Sequence, residues 1–427
     1  MGRKRGVLIV VVLSLVIAAC GNSKESGGGG AAAGGGRTGV TETEIRVGGV
    51  ASITNPLGGV YGDAFDGVEA YFDLVNSQGG VFNRQLKLVA KRDDNGQASR
   101  NKDQVRALVE QDNVFAVMPV STLTFAGAKY LVDNNIPTFG WNINAEWNLG
   151  PNLFGEKGSN LCFDCPNAWL PYLAKQTGFT NVGILTYTAV QSQDCAKGWE
   201  AAIEQIGGPK AGLKLTFEDT SLAFGFSPAD LAADLDKMKQ GDVQFLATCI
   251  DGAGSARLGQ AFKDNNLPIV QYLPNGYDNK LISQNAAVLE GDYVTVSFFP
   301  FEADQKPQAL QQFIDAMHAR GKEPNENSLS GWINAIQFVQ GLREAGPDFD
   351  RQKLIDAINK ETAFTADGIR PDGIDWTTTG HKGRSNTDCV AILQVHDGKL
   401  VPRFGQPGKP MVCFDLTNVD LDHPTFK

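Results

Sequence analysis

Histidine is scarce in this sequence of 427 residues, and the motifs of common enzyme classes are absent from it. The four histidines are dispersed and match no metal-binding spacing such as HExxH. No GxSxG nucleophile elbow occurs. Gly252-Ala253-Gly254 begins like a dinucleotide-binding loop, but the third glycine of GxGxxG is missing. The sequence therefore predicts neither an enzyme nor a bound metal or cofactor.

Basic residues are also few, since Lys and Arg number 38 against 48 Asp and Glu. Loss of residues 1–19, which contain three basic residues and no acidic ones, would leave 35 against 48, a net charge of −13. Such an acidic surface repels phosphate backbones, which excludes nucleic acid as a partner.

Long hydrophobic runs are confined to the N-terminus. Three basic residues precede the apolar residues 7–17, and Ala18-Ala19-Cys20 follows them. This order resembles a bacterial lipoprotein signal, which implies a signal peptide over 1–19 and lipid on Cys20 at the outer face of the membrane. A membrane span would need about 20 apolar residues. The Gly-rich residues 20–40 predict a flexible tether.

Cysteines other than Cys20 number six, and an even count outside the membrane predicts disulfides. Cys389 and Cys413 flank a strand, a turn at 396–399 and a returning segment, so we predict that their bond bridges this hairpin. The other four allow three pairings, of which Cys162 with Cys165 and Cys195 with Cys249 is favoured. The CxxC at 162–165 also has the spacing of a thiol oxidoreductase, although a structural disulfide is favoured there.

Strand and helix patterns alternate along both halves of the chain. Residues 114–142 predict one strand, helix, strand unit, with Ser121, Thr122 and Thr124 opening the helix and Trp141-Asn142 ending the second strand. The alternation predicts an α/β fold with two mostly parallel sheets, and hence two lobes with a cleft. Polar groups at the carboxyl ends of parallel strands suit a small polar or anionic organic ligand.

Residues 75–94, VNSQGGVFNRQLKLVAKRDD, have the order helix, GG, strand, DD. With VYGDAFDGVEA before them and IPTFGWN and DGIDWTTTGHKGRSN after them, they resemble the type I periplasmic binding proteins of the Leu/Ile/Val-binding branch. The resemblance covers residues 41–414. It implies two Rossmann-like lobes joined by three crossovers, near 155–165, 290–300 and 380–388. Lobe 1 would be 41–155 plus 298–383, and lobe 2 would be 156–297 plus 384–427.

The resemblance also implies which residues hold the ligand in the cleft. These are Tyr61, Ser121, Thr122, Trp141, Asn142, Tyr187, Gln193, Asp251, Gly252, Asn275 and Tyr277. Branched-chain amino acid binders carry an acidic residue near the position of Asn275 and small residues at that of Trp141, although Asp251 could supply the missing charge. Because a buried ammonium without a partner is costly, we expect a small polar solute that lacks one, such as an amide, urea-like compound or carboxylate, stacked on Trp141.

The expected function is that of an extracytoplasmic solute-binding lipoprotein, which closes about a hinge on an amino acid or another small polar solute. Its partners would be the permease and ATPase of an ABC importer, with the membrane reached through the lipid anchor. A ligand-sensing receptor subunit that reports to a membrane signalling partner is the alternative, because the same fold serves both functions.

Overall fold

The computed structural model describes residues 37–55, 57–158, 162, 164–378, 381 and 387–427. The predicted signal peptide, Cys20 and most of the tether lie outside these residues. Among the residues that the structure describes, no helix combines the length and the apolar composition that a membrane span needs.

Helices and strands alternate along most of the chain. The helices are α1 (Asp63–Ser77), α2 (Ala98–Glu110), α3 (Ala128–Asp133), α4 (Trp169–Thr177), α5 (Val190–Ala202), α6 (Gly208–Ala211), α7 (Ala232–Gln240), α8 (Gly252–Asp264), α9 (Asn279–Gln284), α10 (Ala286–Leu289), α11 (Gln308–Ala319), α12 (Glu326–Ala345) and α13 (Arg351–Ile358). The strands are β1 (Glu44–Ala51), β2 (Gln85–Asp93), β3 (Ala116–Ser121), β4 (Thr138–Gly140), β5 (Leu153–Gly155), β6 (Asn181–Tyr187), β7 (Lys214–Leu222), β8 (Phe245–Cys249), β9 (Val270–Gln271), β10 (Tyr293–Val296), β11 (Thr387–His396), β12 (Lys399–Arg403), β13 (Val412–Asp415) and β14 (Thr425–Phe426).

The first sheet is parallel, with the order β2-β1-β3-β4-β5. Its strands alternate between two cores, as the two-residue period of a strand requires. Val47 of β1 faces a core shared with α1 and α12, whereas Val50 faces a core shared with α2 and α3. The strand order reverses between β1 and β3, so their carboxyl ends border the crevice where doubly wound sheets bind ligands.

Helix α12 packs closely against α1. A Cβ added to Gly67 would lie 1.8 Å from the Ser328 carbonyl oxygen, and one added to Gly331 would lie 1.9 Å from that of Ala64. Glycine is therefore required at both positions for this approach. The contact fixes the N-terminus of α12, including Glu326, relative to the first sheet.

The second sheet repeats the pattern with the order β7-β6-β8-β9, again parallel. Helices α4 and α5 cover one face, and α7 and α8 cover the other. Its order reverses between β6 and β8, which gives a second crevice. A single bridge between Tyr272 and Tyr293 leads to a third sheet, in which β10, β11, β13 and β14 lie in that order and β12 also pairs with β11.

The three favoured cysteine pairs are all bonded: Cys162–Cys165, Cys195–Cys249 and Cys389–Cys413. The hairpin prediction is wrong in one respect. The turn at 396–399 joins β11 to β12, but Cys413 lies on β13, where it is the direct partner of Cys389. The bond therefore joins β11 to a third strand, because the returning segment pairs with β11 in two separate stretches.

The predicted helix start in residues 114–142 is displaced. Ser121 is the last residue of β3, and the helix predicted from Ser121 begins only at Ala128. Hydroxyl residues suit the end of a strand as well as the start of a helix, so they do not fix this boundary.

The predicted crossovers are only partly visible. Residues 159–161 and 163 of the first and 379–380 and 382–386 of the third lie outside the described residues. The second, near 290–300, includes β10 and then leads to α11. One hydrophobic core continues along this path, from α1 and α12 to β10 and β11.

Candidate ligand-binding site

A cavity of about 730 Å³ lies at the carboxyl ends of the strands of both parallel sheets. We call it the main cavity. Its wall takes residues from the loops after β1, β3, β4 and β5, from the segments after β6, β7, β8 and β9, and from β10 and β11. Both strand-order reversals therefore border one space, which is where the fold places ligands.

Aromatic and aliphatic side chains dominate the wall of the main cavity. The aromatic residues are Tyr61, Trp141, Tyr187, Trp199, Phe224 and Tyr272. The aliphatic ones are Leu57, Leu123, Ile143, Ala189, Ile250, Val296 and Val390. Polar and charged groups are fewer, so most of a bound molecule's surface would meet apolar groups.

Tyr61 and Trp141 form one side of the wall. Their rings stack with centroids 5.3 Å apart. Burial and the Asp251 carboxylate raise the pKa of Tyr61 to about 12. The Tyr61 hydroxyl has no hydrogen-bond partner among the described residues, which leaves it free to donate to a ligand or to water.

Tyr187 and Asp251, which come from the second sheet, form another part of the wall. The Tyr187 hydroxyl donates to Asp251 Oδ2 over 2.5 Å, and Asp251 Oδ1 caps α8 by accepting from the Gly254 amide over 3.0 Å. Burial and this carboxylate raise the pKa of Tyr187 above its ordinary value. A Cβ on Gly254 would lie 2.6 Å from the Tyr187 hydroxyl, so glycine leaves the room that this tyrosine needs. The Gly252-Ala253-Gly254 motif therefore belongs to the cavity wall rather than to a nucleotide-binding loop.

Three charged side chains, Lys157, Asp251 and Glu326, are among the described residues that line the main cavity. Lys157 Nζ lies 3.5 Å from Glu326 Oε1 and 3.7 Å from Glu156 Oε1. Burial raises the pKa of Glu326, Glu156 raises it further, and Lys157 opposes both. The single ammonium of Lys157 is thus already shared by two carboxylates.

A smaller space of about 80 Å³, the side chamber, adjoins the main cavity. Tyr61, Trp141, Asn275 and Glu326 line both spaces. The remaining lining of the side chamber is Gly59, Val60, Tyr277, Asp278, Asn325, Asn327 and Ser330. The lining of the side chamber therefore combines aromatic rings with carboxylate, amide and hydroxyl groups.

Two of the disulfides also line the main cavity. Cys195–Cys249 ties α5 to the end of β8, and the Trp199 indole donates to Cys249 Sγ over 3.0 Å. Cys162–Cys165 lies in the segment that follows the last strand of the first sheet and precedes the second sheet along the chain. Its sulfur atoms form another part of the cavity wall. The CxxC considered as a redox motif is thus part of the wall.

Five of the eleven predicted ligand residues line the main cavity: Tyr61, Trp141, Tyr187, Asp251 and Asn275. Tyr277 lines the side chamber instead. Ser121 and Thr122 are buried at the end of β3 and are not among the residues that line either space.

Asn142, Gln193 and Gly252 also have structural contacts away from the wall. Asn142 donates to the Gly158 carbonyl and accepts from the Lys157 amide, which holds the loop after β5. Gln193 Nε2 donates to the carbonyls of Tyr187 and Thr220. A Cβ on Gly252 would lie 2.5 Å from Leu281, so that glycine allows α8 to pack.

Sequence reasoning missed Glu326, Lys157 and Phe224. Glu326 could have been found, because Asn325 and Ser328 form a capping box that marks the start of α12. Lys157 and Phe224 lie in irregular segments after strands, where sequence carries no comparable signal.

Comparison with known proteins agrees with this architecture. The family model described as periplasmic binding protein matches residues 44–399, so the chain belongs to the family of type I periplasmic binding proteins. Comparison with curated protein sequences gives no match.

Solved structures of three bacterial binding proteins have the same fold. A branched-chain amino acid ABC transporter protein from Thermus thermophilus with bound valine is 17% identical, with a TM-score of 0.69 over 86% of this chain and 96% of that one. A fatty acid ABC transporter substrate-binding protein from Thermomonospora curvata is 20% identical, with a TM-score of 0.66 and coverages of 86% and 92%. A solute-binding protein from R. palustris in complex with benzoate is 16% identical, with a TM-score of 0.63 and coverages of 84% and 95%.

Proposed function

We propose that this protein is the extracytoplasmic solute-binding component of an ABC importer, held at the membrane by lipid on Cys20. Family membership supports an extracytoplasmic binding protein, and the neighbours named above belong to ABC transporters. A permease and an ATPase would be its partners. Closure of the two lobes about a hinge would trap the ligand, and the permease would select the closed form.

The observation that carries this proposal is the main cavity at both strand-order reversals. Its volume of about 730 Å³ is within the range of small-molecule sites, and its wall holds apolar surface with a few polar groups. The valine, benzoate and fatty acid in the neighbours' names all combine an apolar part with a polar head. The wall favours an organic ligand with a substantial apolar body over the small polar solute expected from Asn275 and Trp141.

Tyr61, Trp141, Tyr187, Asp251 and Asn275 are the proposed ligand contacts. The Tyr61–Trp141 pair offers a face for stacking, and the Tyr61 hydroxyl offers a hydrogen bond. Asn275 can donate and accept at the boundary between the two spaces.

A thermal-shift screen of the purified protein tests the proposal. The panel should contain aliphatic and aromatic amines, alcohols, carboxylates and amino acids. A ligand at 100 times its Kd should add about 2.7 kcal/mol to the free energy of unfolding. The expected result is stabilisation by one chemical class, reduced in Trp141→Ala. If no class stabilises the protein, before or after unfolding and refolding to remove a carried-over ligand, the proposal is contradicted.

A further inference from the structure

The side chamber combines aromatic rings with carboxylates. Tyr61, Trp141 and Tyr277 are its aromatic residues, and Asp278 and Glu326 are its acidic ones. Among the described residues that line it, none is basic. Aromatic faces and carboxylates together are the surroundings that organic cations prefer.

The polar atoms of the side chamber are only partly satisfied by the protein. Ser330 is 4% exposed, and its hydroxyl has no hydrogen-bond partner in the described part of the chain. Asp278 Oδ1 caps α9 by accepting from the Lys280 and Leu281 amides over 2.8 and 3.0 Å. Its Oδ2 accepts no hydrogen bond from the residues that the structure describes. A buried polar atom without a partner is costly, so the Ser330 hydroxyl favours a bound polar group. Asp278 is only partly buried, and its free Oδ2 adds an acceptor beside that hydroxyl.

Tyr277 offers the side chamber its ring rather than its hydroxyl. The hydroxyl donates to Glu302 Oε2 over 2.7 Å and accepts from the Phe301 amide over 2.6 Å. Burial and Glu302 raise the pKa of Tyr277 well above its ordinary value, so the phenol remains neutral. Tyr277 therefore adds an aromatic face without adding charge.

The charges around the two spaces also disfavour an anion. Asp251 and Glu326 outnumber Lys157 in the main cavity, and Lys157 is already shared by Glu156 and Glu326. The N-terminus of α8, which would otherwise attract an anion, is capped by Asp251 itself.

We propose that the side chamber is a subsite for a compact cationic group, such as a primary ammonium, on a ligand whose apolar body fills the main cavity. This inference rests on the proposed function and names its substrate class. The side chamber, at about 80 Å³, is about a ninth of the size of the main cavity at about 730 Å³, so it suits a small head group and the main cavity suits the apolar body.

This proposal replaces the expectation that the ligand lacks an ammonium group. That expectation followed from the neutral Asn275, at a position where branched-chain amino acid binders carry an acid. In this chain Glu326 and Asp278 provide the negative charge at the same boundary, since Asn275 lines both spaces with Glu326.

The test is isothermal titration of the purified protein with two matched series of probes. One series is phenethylamine, phenethyl alcohol and hydrocinnamate, and the other is octylamine, octanol and octanoate. In at least one series, the amine should bind tenfold or more tightly than both the alcohol and the carboxylate. A carboxylate that binds as tightly as its amine would overturn the proposal, and the uncapped N-terminus of α5 would then be the place to seek it.

Matched variants test which residues make the amine bind more tightly than the alcohol and the carboxylate. Glu326→Gln and Asp278→Asn should each reduce the amine's advantage about tenfold, because each removes one charge and keeps the side-chain shape. Asp278→Asn retains an oxygen to cap α9, so it remains informative if Glu326→Gln does not fold. The exposed Asp236→Asn on α7 is the control and should leave the advantage unchanged.

The outcomes separate the two proposals. An amine preference that survives both chamber variants would contradict the side chamber as the subsite. Binding of the alcohols or carboxylates without an amine preference would contradict the cationic ligand while leaving the solute-binding function supported. Failure of all six probes to bind would count against both.

Discussion

Tyr61 and Trp141 stack with an angle of 27° between their ring planes, although they come from loops after two different strands of the first sheet. Both side chains line the main cavity and the side chamber, so the pair lies where the two spaces meet. A ligand that occupies both spaces would contact these two rings. The pair is therefore the part of the wall where a substitution should affect binding most directly.

Trp141→Ala should weaken binding of the tightest probe about tenfold or more, because it removes an aromatic contact and part of the wall. Trp141→Phe should retain most of the affinity, since a ring still stacks on Tyr61. Isothermal titration of both variants gives the comparison. Equal losses in the two variants would show that stacking is not what Trp141 contributes.

Tyr187→Phe should lower the free energy of unfolding by about 1–3 kcal/mol, because it leaves Asp251 Oδ2 buried without its donor. Tyr172→Phe is the control, since no described residue hydrogen-bonds the Tyr172 hydroxyl and the same group is removed. Urea denaturation of both variants measures the difference. If Tyr172→Phe costs as much as Tyr187→Phe, the Asp251 bond is not the cause.

Loss of the Cys195–Cys249 bond should destabilise the protein strongly. The bond closes a loop with a sequence separation of 54, for which chain entropy gives about 4 kcal/mol. Replacing both cysteines by serine should therefore lower the unfolding midpoint in urea. It should also weaken probe binding, because α5 and the end of β8 both line the main cavity.

The Cys162–Cys165 pair provides the matched comparison, with a sequence separation of only 3. The same entropy argument gives this bond less than half the stabilisation, so its double serine variant should be the milder one. A reversed order of the two variants in urea would contradict this account.

Asp292 should make stability depend on pH. Its carboxyl is 3% exposed, Oδ1 accepts from the Gln271 amide over 2.9 Å, and Oδ2 has no partner among the described residues. Burial raises its pKa well above the ordinary value, and Glu290 adds to the shift. The folded state therefore holds this proton more tightly than the unfolded state, so stability falls as pH rises from about 4 through the folded pKa.

Asp292→Asn removes this titration. The free energy of unfolding of the variant minus that of the parent should therefore increase as pH rises, when urea curves are compared between about pH 4 and pH 8. The exposed Asp236→Asn is the control for the exchange of a carboxylate for an amide. Parallel curves for parent and Asp292→Asn would contradict a raised pKa at this site.

The fold was predictable because apolar runs and helical spacing alternate along the chain, and parallel strands joined by helices have few arrangements. Trp141, Tyr187 and Asp251 were predictable as cavity residues because they end strands or follow them within two residues. Tyr61 lies farther from β1 and was predicted from the family resemblance. Helix boundaries were less accurate, since hydroxyl residues such as Ser121 suit a strand end as well as a helix cap.

The side chamber was not predictable from the sequence. It depends on Glu326 and Ser330 at the start of α12, which approach Tyr61 and Asp278 only because α12 packs on α1 through Gly67 and Gly331. Neither glycine stands out in the sequence, and the contact joins segments far apart in the chain. The expectation built on Asn275, Trp141 and Asp251 therefore left out the charges of Glu326 and Asp278.

The disulfides in the cavity wall bear on the stage of the protein's maturation at which the site can bind a ligand. A newly synthesised chain in a reducing compartment would carry four thiols along the wall, and α5 would not yet be tied to β8. Oxidation outside the cytoplasm would then complete the wall, so export and ligand capture would occur in a fixed sequence. Protein produced in a reducing host would have to be oxidised before its affinities represent those of the exported form.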